Sequence, residues 1–425
     1  MAIDPRHAGE EPARPSRLAR LRLDTRPLRH PTFRRLWIGQ AVSSVGGEIG
    51  VVAVPYQVYS LTHSTAAVGL LGVATLVPLV TVSFVGGALA DALDRRTVLL
   101  RTEVGMAVVT GLFLANALLP HPQLWALYVL QALAMAIFSL GRPALSSLNP
   151  RLVPDDEIAA AAALGSVYNS LASVGGPALG GLLIAGAGVP WTYGIDLATY
   201  AASFVALWAL PKLPPLTEVE RPGLGSILEG FRFLKGRQAL IGIFAVDSSA
   251  MVFGMPSALF PAIALNRFHS VAVVGYLYAA PSAGALLGSL ASGWTGHVRR
   301  QGLAVTIAAC LWGVSIAAFG FTTSLWPALA LLALAGCADF FSAVLRGTML
   351  QRSTPDHLLG RLSGIEWAQV AGAPNLGDVE AGVLASLTSL RFSIVSGGVV
   401  CVLACAGTAL ALPKFLRYDA RSPAA

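Results

Sequence analysis

The chain has 425 residues, of which 55% are hydrophobic and only 12% are charged. A soluble domain carries about 25% charged residues, so this composition excludes a water-soluble globular fold. The apolar residues fall in long blocks, and a bilayer core about 30 Å thick needs roughly 20 apolar residues for each helical span. The composition therefore predicts a helical membrane protein.

Twelve apolar blocks follow one another along the chain, each long enough for one transmembrane helix. They cover residues 35–60, 66–90, 97–119, 124–148, 158–186, 190–210, 239–265, 271–296, 302–321, 325–347, 361–388 and 391–412. The chain also contains 44 glycines and 26 prolines. Neighbouring helices in a membrane satisfy the backbone groups that these residues leave free, so their frequency suits spanning helices.

The lysines and arginines are distributed very unevenly over the predicted loops. With twelve spans, the basic tail 1–34 and the tail 413–425 share one side, and nearly all of the 29 basic residues lie on that side. Only Arg267 and Arg391 fall on the other side. Because basic loops stay in the cytoplasm, we expect both termini to be cytoplasmic in a bacterial cytoplasmic (inner) membrane. The same asymmetry accounts for the net charge of +7 without a nucleic-acid partner.

The longest internal loop, 211–238, separates six spans from six. It contains five apolar residues at helical spacing, namely Leu224, Ile227, Leu228, Phe231 and Leu234. That spacing predicts an amphipathic helix lying on the membrane surface. The chain is therefore expected to form an N-terminal bundle over 35–210 and a C-terminal bundle over 239–412, joined by this cytoplasmic linker.

Two short motifs recur in the second half at one offset. The motif Arg-x-x-Pro-Asp at 151–155, after span 4, returns at 352–356, after span 10, which is 201 residues later. The segment 87–91 after span 2 returns in weaker form at 288–292, at the same offset. The repeat predicts two bundles related by a pseudo-twofold axis along the membrane normal, with the substrate path between them.

The turn between spans 2 and 3 carries a charged motif over residues 87–96. Gly87 allows the two helix ends to approach closely, and Asp91 can pair with a helix N-terminus or with a cation of the other bundle. Arg95 and Arg96 add contacts at the cytoplasmic face. Such contacts must break when the bundles move, so the motif can latch one access state. The alternative is a charged turn with a structural function only.

Span 5 contains the segment Gly-Pro-Ala-Leu-Gly-Gly from Gly176 to Gly181. Pro177 kinks the helix, and the small residues Gly176, Gly180 and Gly181 let the facing bundle approach closely. The alternative interpretation is ordinary packing of small residues between helices.

These features together resemble the major facilitator superfamily, and the resemblance covers nearly the whole chain. The segment 87–96 looks like the loop 2–3 signature of that superfamily, with Asp94 where glycine is usual. The segment 176–181 resembles the span-5 signature of its drug exporters, and the segments 230–234 and 377–382 are similar to the enterobactin-exporter-like branch. The resemblance implies an all-α fold of twelve transmembrane helices in two six-helix bundles, and it favours export over uptake.

Several carboxylates lie inside predicted spans, where acids are costly and usually functional. The candidate proton or substrate sites are Glu48 in span 1, Asp247 in span 7, Asp339 in span 10, and Glu366, Asp378 and Glu380 in span 11. The resemblance implies that spans 1, 4, 7 and 10 line the cavity, which favours the first three. For each acid the alternative is a structural hydrogen bond or ion pair to another span.

No cofactor or metal is expected. The chain has no phosphate-binding Gly-x-x-x-x-Gly-Lys motif, no histidine cluster or Cys-x-x-Cys motif, and no recognisable hydrolase triad, so we do not expect an enzyme. The expected energy source is the proton gradient. Proton-coupled drug exporters of the superfamily commonly carry an arginine midway along span 4, where this chain has Gln131 and, nearer the inner end, Arg142.

We therefore expect a monomeric secondary transporter in the lipid bilayer. It would export a small amphipathic molecule, such as a drug-like compound or a siderophore, by alternating access and proton-coupled antiport. One alternative is an uptake permease or uniporter on the same fold. The other is a membrane protein that does not transport, such as a scaffold or a membrane-embedded enzyme.

Overall fold

The computed structural model describes residues 24–92, 94–146, 148–210 and 224–420, apart from the side chains of 83–92, 143, 146, 149–150 and 224–228. Within that description the fold is helical, and it contains twelve long helices in chain order. They are α1 (Pro31–Thr62), α2 (Thr65–Ala92), α3 (Arg95–Ala117), α4 (Leu124–Ser146), α5 (Ile158–Ala187), α6 (Val189–Trp208), α7 (Gln238–Phe253, continued by Phe260–Asn266), α8 (Ala272–Leu290), α9 (Gln301–Phe321), α10 (Leu325–Ser353), α11 (Asp356–Leu387) and α12 (Leu390–Ala411). The predicted fold class is confirmed.

Ten of these helices are long and apolar enough to cross a membrane on length and composition. The other two, α6 and α11, are of spanning length but more polar. Helix α6 contains the buried Asp196, and α11 contains Glu366, Asp378 and Glu380. Acids of this kind are tolerated in a membrane only where other helices surround them or water reaches them.

The two halves of the chain pack in the same pattern. In the first half, α1 packs on α5 and α6, α2 packs on α4, and α3 packs on α4 and α6. Each pair recurs six helices later: α7 packs on α11 and α12, α8 packs on α10, and α9 packs on α10 and α12. The halves then join through α2 on α11 and α5 on α8, which are also equivalent pairs. The structure thus has the two six-helix bundles and the internal repeat that the sequence predicts.

The repeated Arg-x-x-Pro-Asp motif forms the same turn in both halves. Pro154 and Pro355 both have extended backbone angles and stand directly before a helical turn. Asp155 and Asp356 follow them in the first turn. A proline cannot donate the backbone N–H that a helix start leaves unused, and an aspartate there interacts favourably with the helix dipole. The motif therefore starts α5 and α11 in the same way.

Each of the four helices that join the halves contains an internal proline, namely Pro78, Pro177, Pro281 and Pro374. A proline inside a helix removes one backbone hydrogen bond and bends the helix axis. Bent helices at the junction let the two halves touch over part of their length and separate over the rest.

The junction is closed at one face of the bundle. We call the face that carries Pro31 and Ala411 the terminal face and the opposite face the distal face. The close backbone contacts of α2 with α11 run from Gly69 and Gly382, within two turns of the distal helix ends, to Gly72 and Asn375 further along the two helices. The close contact of α5 with α8 lies at Gly181, also near the distal end. The close backbone contacts between the halves therefore lie toward the distal face, and we use the word cavity for the region between the halves on the terminal side of these contacts.

Helix α7 is broken, where the sequence predicts one continuous span over 239–265. It ends at Phe253, passes through a short 3₁₀ turn at Ser257–Leu259, and resumes at Phe260–Asn266. The cause is local, because Pro256 has no backbone N–H and disfavours helical angles at the residue before it. Pro261 then lies in the first turn of the second piece, a position where proline is favourable.

The linker helix spans Leu224–Leu234 and packs against the start of α11. Gly230 lies against Ile365, and Glu229 forms an ion pair with Arg361 at 2.7 Å. The segment after α12, which begins the predicted cytoplasmic tail 413–425, also packs on the bundle. Its helical turn Pro413–Leu416 buries Phe415 completely, with Gly242 of α7 and Gly302 of α9 leaving room for it.

Candidate functional site

The glycines of the span-5 segment lie on two different faces of α5. Gly176 and Gly180 pack against Glu48 and Ile49 of α1, within the same half. Gly181 packs against α8 of the other half, and a Cβ atom added there would lie 2.6 Å from the carbonyl oxygen of Ala272. The segment therefore couples a tight contact inside one half to a tight contact between halves.

The same arrangement occurs in α11, 201 residues later. Gly377 packs on the backbone of α7 within its own half. Gly382 packs on α2 of the other half, where an added Cβ would lie 2.5 Å from the carbonyl oxygen of Thr65. The segment 377–382, which the sequence analysis likens to the enterobactin-exporter-like branch, is thus the structural counterpart of 176–181. Of these glycines, Gly181 and Gly382 lie at the distal contacts between the halves, whereas Gly176 and Gly377 pack within their own halves.

Two hydrogen bonds between the halves add to the distal closure. The Thr65 hydroxyl donates to the carbonyl oxygen of Gly382 at 2.9 Å. The Asn266 side chain donates to the Tyr59 hydroxyl, also at 2.9 Å. Both join the end of one half to the end of the other, so both must break when the distal side opens.

Replacing Thr65 by valine should weaken the distal closure modestly. Valine keeps the shape of threonine but removes the hydroxyl donor, and one hydrogen bond contributes about 1 kcal/mol. We therefore expect a shift of about fivefold toward the distal-open state, measured as the labelling rate of a cysteine placed in the cavity and reached from the distal side. Thr322→Val is the control, because that hydroxyl bonds only within its own half. Equal labelling rates in both variants would contradict the closing function of Thr65.

A shallow depression of about 360 Å³ lies on the distal face, lined by Tyr59, His63, Thr65, Asn266 and Ser386 among others. Its lining includes Tyr59, Thr65 and Asn266, which form the hydrogen bonds between the halves, so the depression lies at the distal closure itself.

A buried charged network occupies the C-terminal half. Asp247 of α7 forms an ion pair with Arg346 of α10, and both side chains are less than a tenth exposed. The Gln369 side chain of α11 donates to Asp247 Oδ2 and to the carbonyl oxygen of Phe244, each at 2.9 Å. Asp247 is thus enclosed by partners and does not face the cavity, although the sequence analysis places it among the favoured cavity acids.

Asp339 is the second acid beside Arg346. One of its oxygens lies 3.7 Å from an Arg346 guanidinium nitrogen, and its side chain is 38% exposed. One guanidinium carries one positive charge, which the buried Asp247 already balances. Asp339 is therefore the surplus acid of the network and the one that solvent reaches.

Arg346 lies deeper in the fold than the sequence predicts. It is one of the basic residues assigned to the inner side, and the predicted span 10 ends at residue 347, which places Arg346 next to an inner loop. Helix α10 instead continues to Ser353, so Arg346 lies about two turns inside the helix and is buried. The sequence contains a sign of this pairing, because Arg346 follows Asp339 by seven residues and the two therefore lie on one helix face.

The other candidate acids divide into two groups. Asp378 accepts hydrogen bonds from the Ser257 hydroxyl and from the backbone N–H of Ala258, at the break in α7. Asp378 therefore forms structural hydrogen bonds to another span, which is the alternative to a proton or substrate site given for each candidate acid. Glu48, Glu366 and Glu380 are half-buried, and within the described residues none of the three forms a hydrogen bond or an ion pair.

The N-terminal half has a buried polar network of its own. Asp196 of α6 accepts a hydrogen bond from the Thr110 hydroxyl at 3.3 Å. Glu103 of α3 accepts one from Ser203 at 2.7 Å, and Ser203 accepts one from Gln40. Glu103 is not among the predicted site residues, although a carboxylate inside a predicted span is a signal in itself. These bonds hold α1, α3 and α6 together.

The loop 2–3 motif is described only in part. The backbone of Gly87 and Asp91 belongs to α2, while their side chains lie outside the described residues. Arg95 is buried, and Arg96 donates to the carbonyl oxygen of Trp208 at 2.7 Å. That bond ties α3 to the end of α6 in the same half, where a cation interacts favourably with the helix dipole.

Asp94 stands where glycine is usual in the loop 2–3 motif, and the structure shows what the aspartate does there. It is the residue that caps α3, and its side chain accepts from the Thr97 backbone N–H at 2.9 Å. An aspartate in this position satisfies a backbone donor that the first helical turn leaves free.

A further cation lies in the cavity between the halves. The guanidinium carbon of Arg142, on α4, lies 4.8 Å from the ring centre of Trp367, on α11 of the other half. Gln131, the residue at the usual arginine position of span 4, donates to the Thr75 hydroxyl at 3.1 Å instead. The N-terminal half thus contributes a cation to the junction between the halves, while the C-terminal half contains the partly exposed Asp339.

Residues 24–424 match the family described as transmembrane secretion effector, which is part of the major facilitator superfamily. The chain is 36% identical over 383 residues to the enterobactin exporter EntS of Shigella boydii serotype 18 and to that of Escherichia coli O139:H28. In both cases the match covers 88% of this chain and 92% of the relative.

Solved structures of transporters have the same fold. A bacterial homologue of the human lysosomal transporter Spinster, in an inward-facing and unoccupied conformation, aligns with a TM-score of 0.72 and 17% identity over 92% of this chain and 98% of its own. The nucleoside transporter NupG aligns with a TM-score of 0.71 and 13% identity over 91% of this chain and 98% of its own. At such low identity these likenesses establish the fold alone. Together with the family match, they show that the chain belongs to the transmembrane secretion effector family of major facilitator transporters.

Proposed function

We propose that this protein exports a small amphipathic molecule, of the siderophore or drug-like class, across a bacterial inner membrane. The observation that carries the proposal is the 36% identity to an enterobactin exporter over 88% of the chain. The span-5 segment 176–181, which favours export, lies at the contact between α5 and α8 and so can take part in opening and closing. In this proposal the terminal face is cytoplasmic, the protein acts as a monomer, and neither an enzymatic reaction nor a nucleic acid is involved.

The transport cycle follows from the position of the contacts. With the distal side closed, the cavity admits substrate from the cytoplasm. Rocking of the halves breaks the contacts at Gly181 and Gly382, opens the distal side and releases the substrate outside. The substrate can drive this change only by binding one of the two states more tightly than the other.

Export is tested in inside-out vesicles that contain the overexpressed protein. A panel of catecholate, hydroxamate and cationic dye compounds is offered outside the vesicles, and accumulation inside is measured after energisation. Accumulation of at least one compound above that in control vesicles supports export. Uptake of the same compounds by whole cells, with none accumulating in inside-out vesicles, would instead support the permease alternative.

Proton coupling at Asp339 is the second part of the proposal. Arg346 is balanced by Asp247, so Asp339 carries a surplus negative charge beside it. A proton on Asp339 neutralises that surplus, and its release restores the attraction to Arg346. The two protonation states therefore differ in the charge of the cavity wall, which is the differential contact that a coupled ion needs.

Asp339→Asn should separate transport from the proton gradient. The amide cannot ionise, so we expect accumulation to fall to the level of passive equilibration, while exchange of labelled for unlabelled substrate continues. In the wild type, one pH unit sustains about tenfold accumulation for each proton exchanged. The matched control is Asp356→Asn, at the exposed start of α11. Accumulation by Asp339→Asn that still collapses when the gradient is removed would contradict this assignment.

A further inference from the structure

Arg142 lies at the junction of the two halves, close to two aromatic rings. Its guanidinium carbon is 4.8 Å from the ring centre of Trp367 and 5.8 Å from that of Phe138. Phe138 lies one turn before it on α4, whereas Trp367 belongs to α11 of the other half. The side chains of all three are exposed, Trp367 by 44% and Phe138 by 43%.

In the part of the chain that the structure describes, the charge of Arg142 acts on the Tyr168 hydroxyl of α5 but is not paired with an acid. In that part no carboxylate lies within 4.0 Å of its guanidinium and no oxygen accepts a hydrogen bond from it. Other arginines in the structure differ: Arg346 pairs with acids, and Arg96 and Arg267 donate to carbonyl oxygens at helix ends. A guanidinium has five N–H donors in a fixed planar arrangement, so Arg142 offers these donors to the cavity.

The chemistry of this cluster defines a class of ligand. A guanidinium binds a carboxylate through two parallel hydrogen bonds, while an indole face and a phenyl ring stack on a flat aromatic ring. An aliphatic anion would use the charge but not the rings. A cationic aromatic would use the rings but would be repelled by Arg142.

We propose that Arg142, Trp367 and Phe138 form a substrate-selecting site that takes planar aromatic anions. This inference rests on the proposed export function and specifies the substrate class. Because α4 and α11 belong to different halves, a ligand here contacts both, and its binding energy can differ between the two access states. The competing explanation is that Arg142 and Trp367 only hold the halves together and contact no substrate.

The test is binding to the purified full-length protein, measured by calorimetry with three probes of similar size. They are 2-naphthoate, which is aromatic and anionic, 2-naphthamide, which is aromatic and neutral, and decalin-2-carboxylate, which is anionic and aliphatic. We expect naphthoate to bind at least about tenfold more tightly than the other two. Arg142→Gln should weaken naphthoate binding about tenfold to a hundredfold, the range for a charge-assisted pair of hydrogen bonds.

Two further variants separate the charge from the ring. Trp367→Leu should weaken the binding of naphthoate but leave the binding of decalin-2-carboxylate unchanged. Trp367→Phe should bind naphthoate nearly as tightly as the wild type, because an aromatic ring is kept. Arg101→Gln is the control for net charge, since Arg101 is exposed on α3. Thermal unfolding of each variant checks that the fold is kept, which the exposure of these side chains leads us to expect.

Equal binding of naphthoate and naphthamide to the wild type would overturn the proposal. So would naphthoate binding to Arg142→Gln within about twofold of the wild type, which would leave Arg142 as a contact between halves only. In either case the vesicle assay above still decides export by itself. If instead the probes discriminate as expected while the vesicles export nothing, the export function fails and the binding site stands.

Discussion

Arg346→Met is expected to lower the free energy of unfolding by about 3–5 kcal/mol, because it leaves the carboxylate of Asp247 buried without a cation. Asp247 is only 4% exposed, and Gln369 alone cannot balance its charge. The measurement is denaturant unfolding of the purified protein in detergent, followed by tryptophan fluorescence. Arg352→Met, on the same helix but exposed, is the control and should cost less than about 1 kcal/mol.

The pair variant sharpens this prediction. When Asp247→Asn is combined with Arg346→Met, no fully buried charge is left unpaired, because the remaining acid Asp339 is partly exposed, so most of the lost stability should return. Removal of a whole buried ion pair is often close to neutral. If the double variant instead loses as much free energy of unfolding as the two single variants together, the two side chains do not depend on each other, which would contradict this prediction.

Gly181→Val is expected to have the largest effect on transport. The added side chain would overlap the backbone of α8 at Ala272 and Gly275, so the distal side could not close as it does here. Overpacking of this kind costs about 1–3 kcal/mol in the state that suffers it, which corresponds to a shift of roughly 5- to 150-fold between states. The protein should therefore lie mainly in the distal-open state, and export should be lost.

The shift can be measured as a distance between two spin labels on the distal face. Ser60, at the end of α1, and Leu387, at the end of α11, are both exposed and belong to different halves. The labels are placed in a background without the four cysteines of the chain. Gly186→Val is the matched control, because no atom lies within 4 Å of the Cβ position at that glycine of the same helix. If the distance between the two spin labels is the same in Gly181→Val as in Gly186→Val, the α5–α8 contact does not close the distal side.

Much of the fold can be read from the sequence, because a membrane imposes long apolar blocks and asymmetric charge. The break in α7 is the main departure. Its signal, Gly254 followed two residues later by Pro256, is local, whereas a hydropathy window averages over the whole block. The window also ends α10 too early, because its last turns contain Arg346 and Arg352 and still form a helix.

The site is harder to predict, because the surroundings of each side chain depend on which helices pack against each face of its own helix. Asp247 and Asp339 are both acids inside spans, yet one is enclosed by Arg346 and Gln369 and the other is partly exposed. Hydropathy cannot separate them. The glycine pair of α11 could have been found, since Gly377 and Gly382 lie 201 residues after Gly176 and Gly181. That offset is the one which the Arg-x-x-Pro-Asp motif already shows.

The packed segment after α12 has a practical consequence for fusion proteins. Phe415 is fully buried, Ala420 hydrogen-bonds to the backbone of Arg299, and Arg352 donates to the carbonyl oxygen of Ala420. A fluorescent reporter or an affinity tag joined directly after α12 would replace these contacts and expose the cleft between α7 and α9. Reporters intended to leave the protein intact should therefore be joined beyond residue 420, and a weak signal from a shorter fusion reflects a damaged C-terminal half rather than the side of the membrane it occupies.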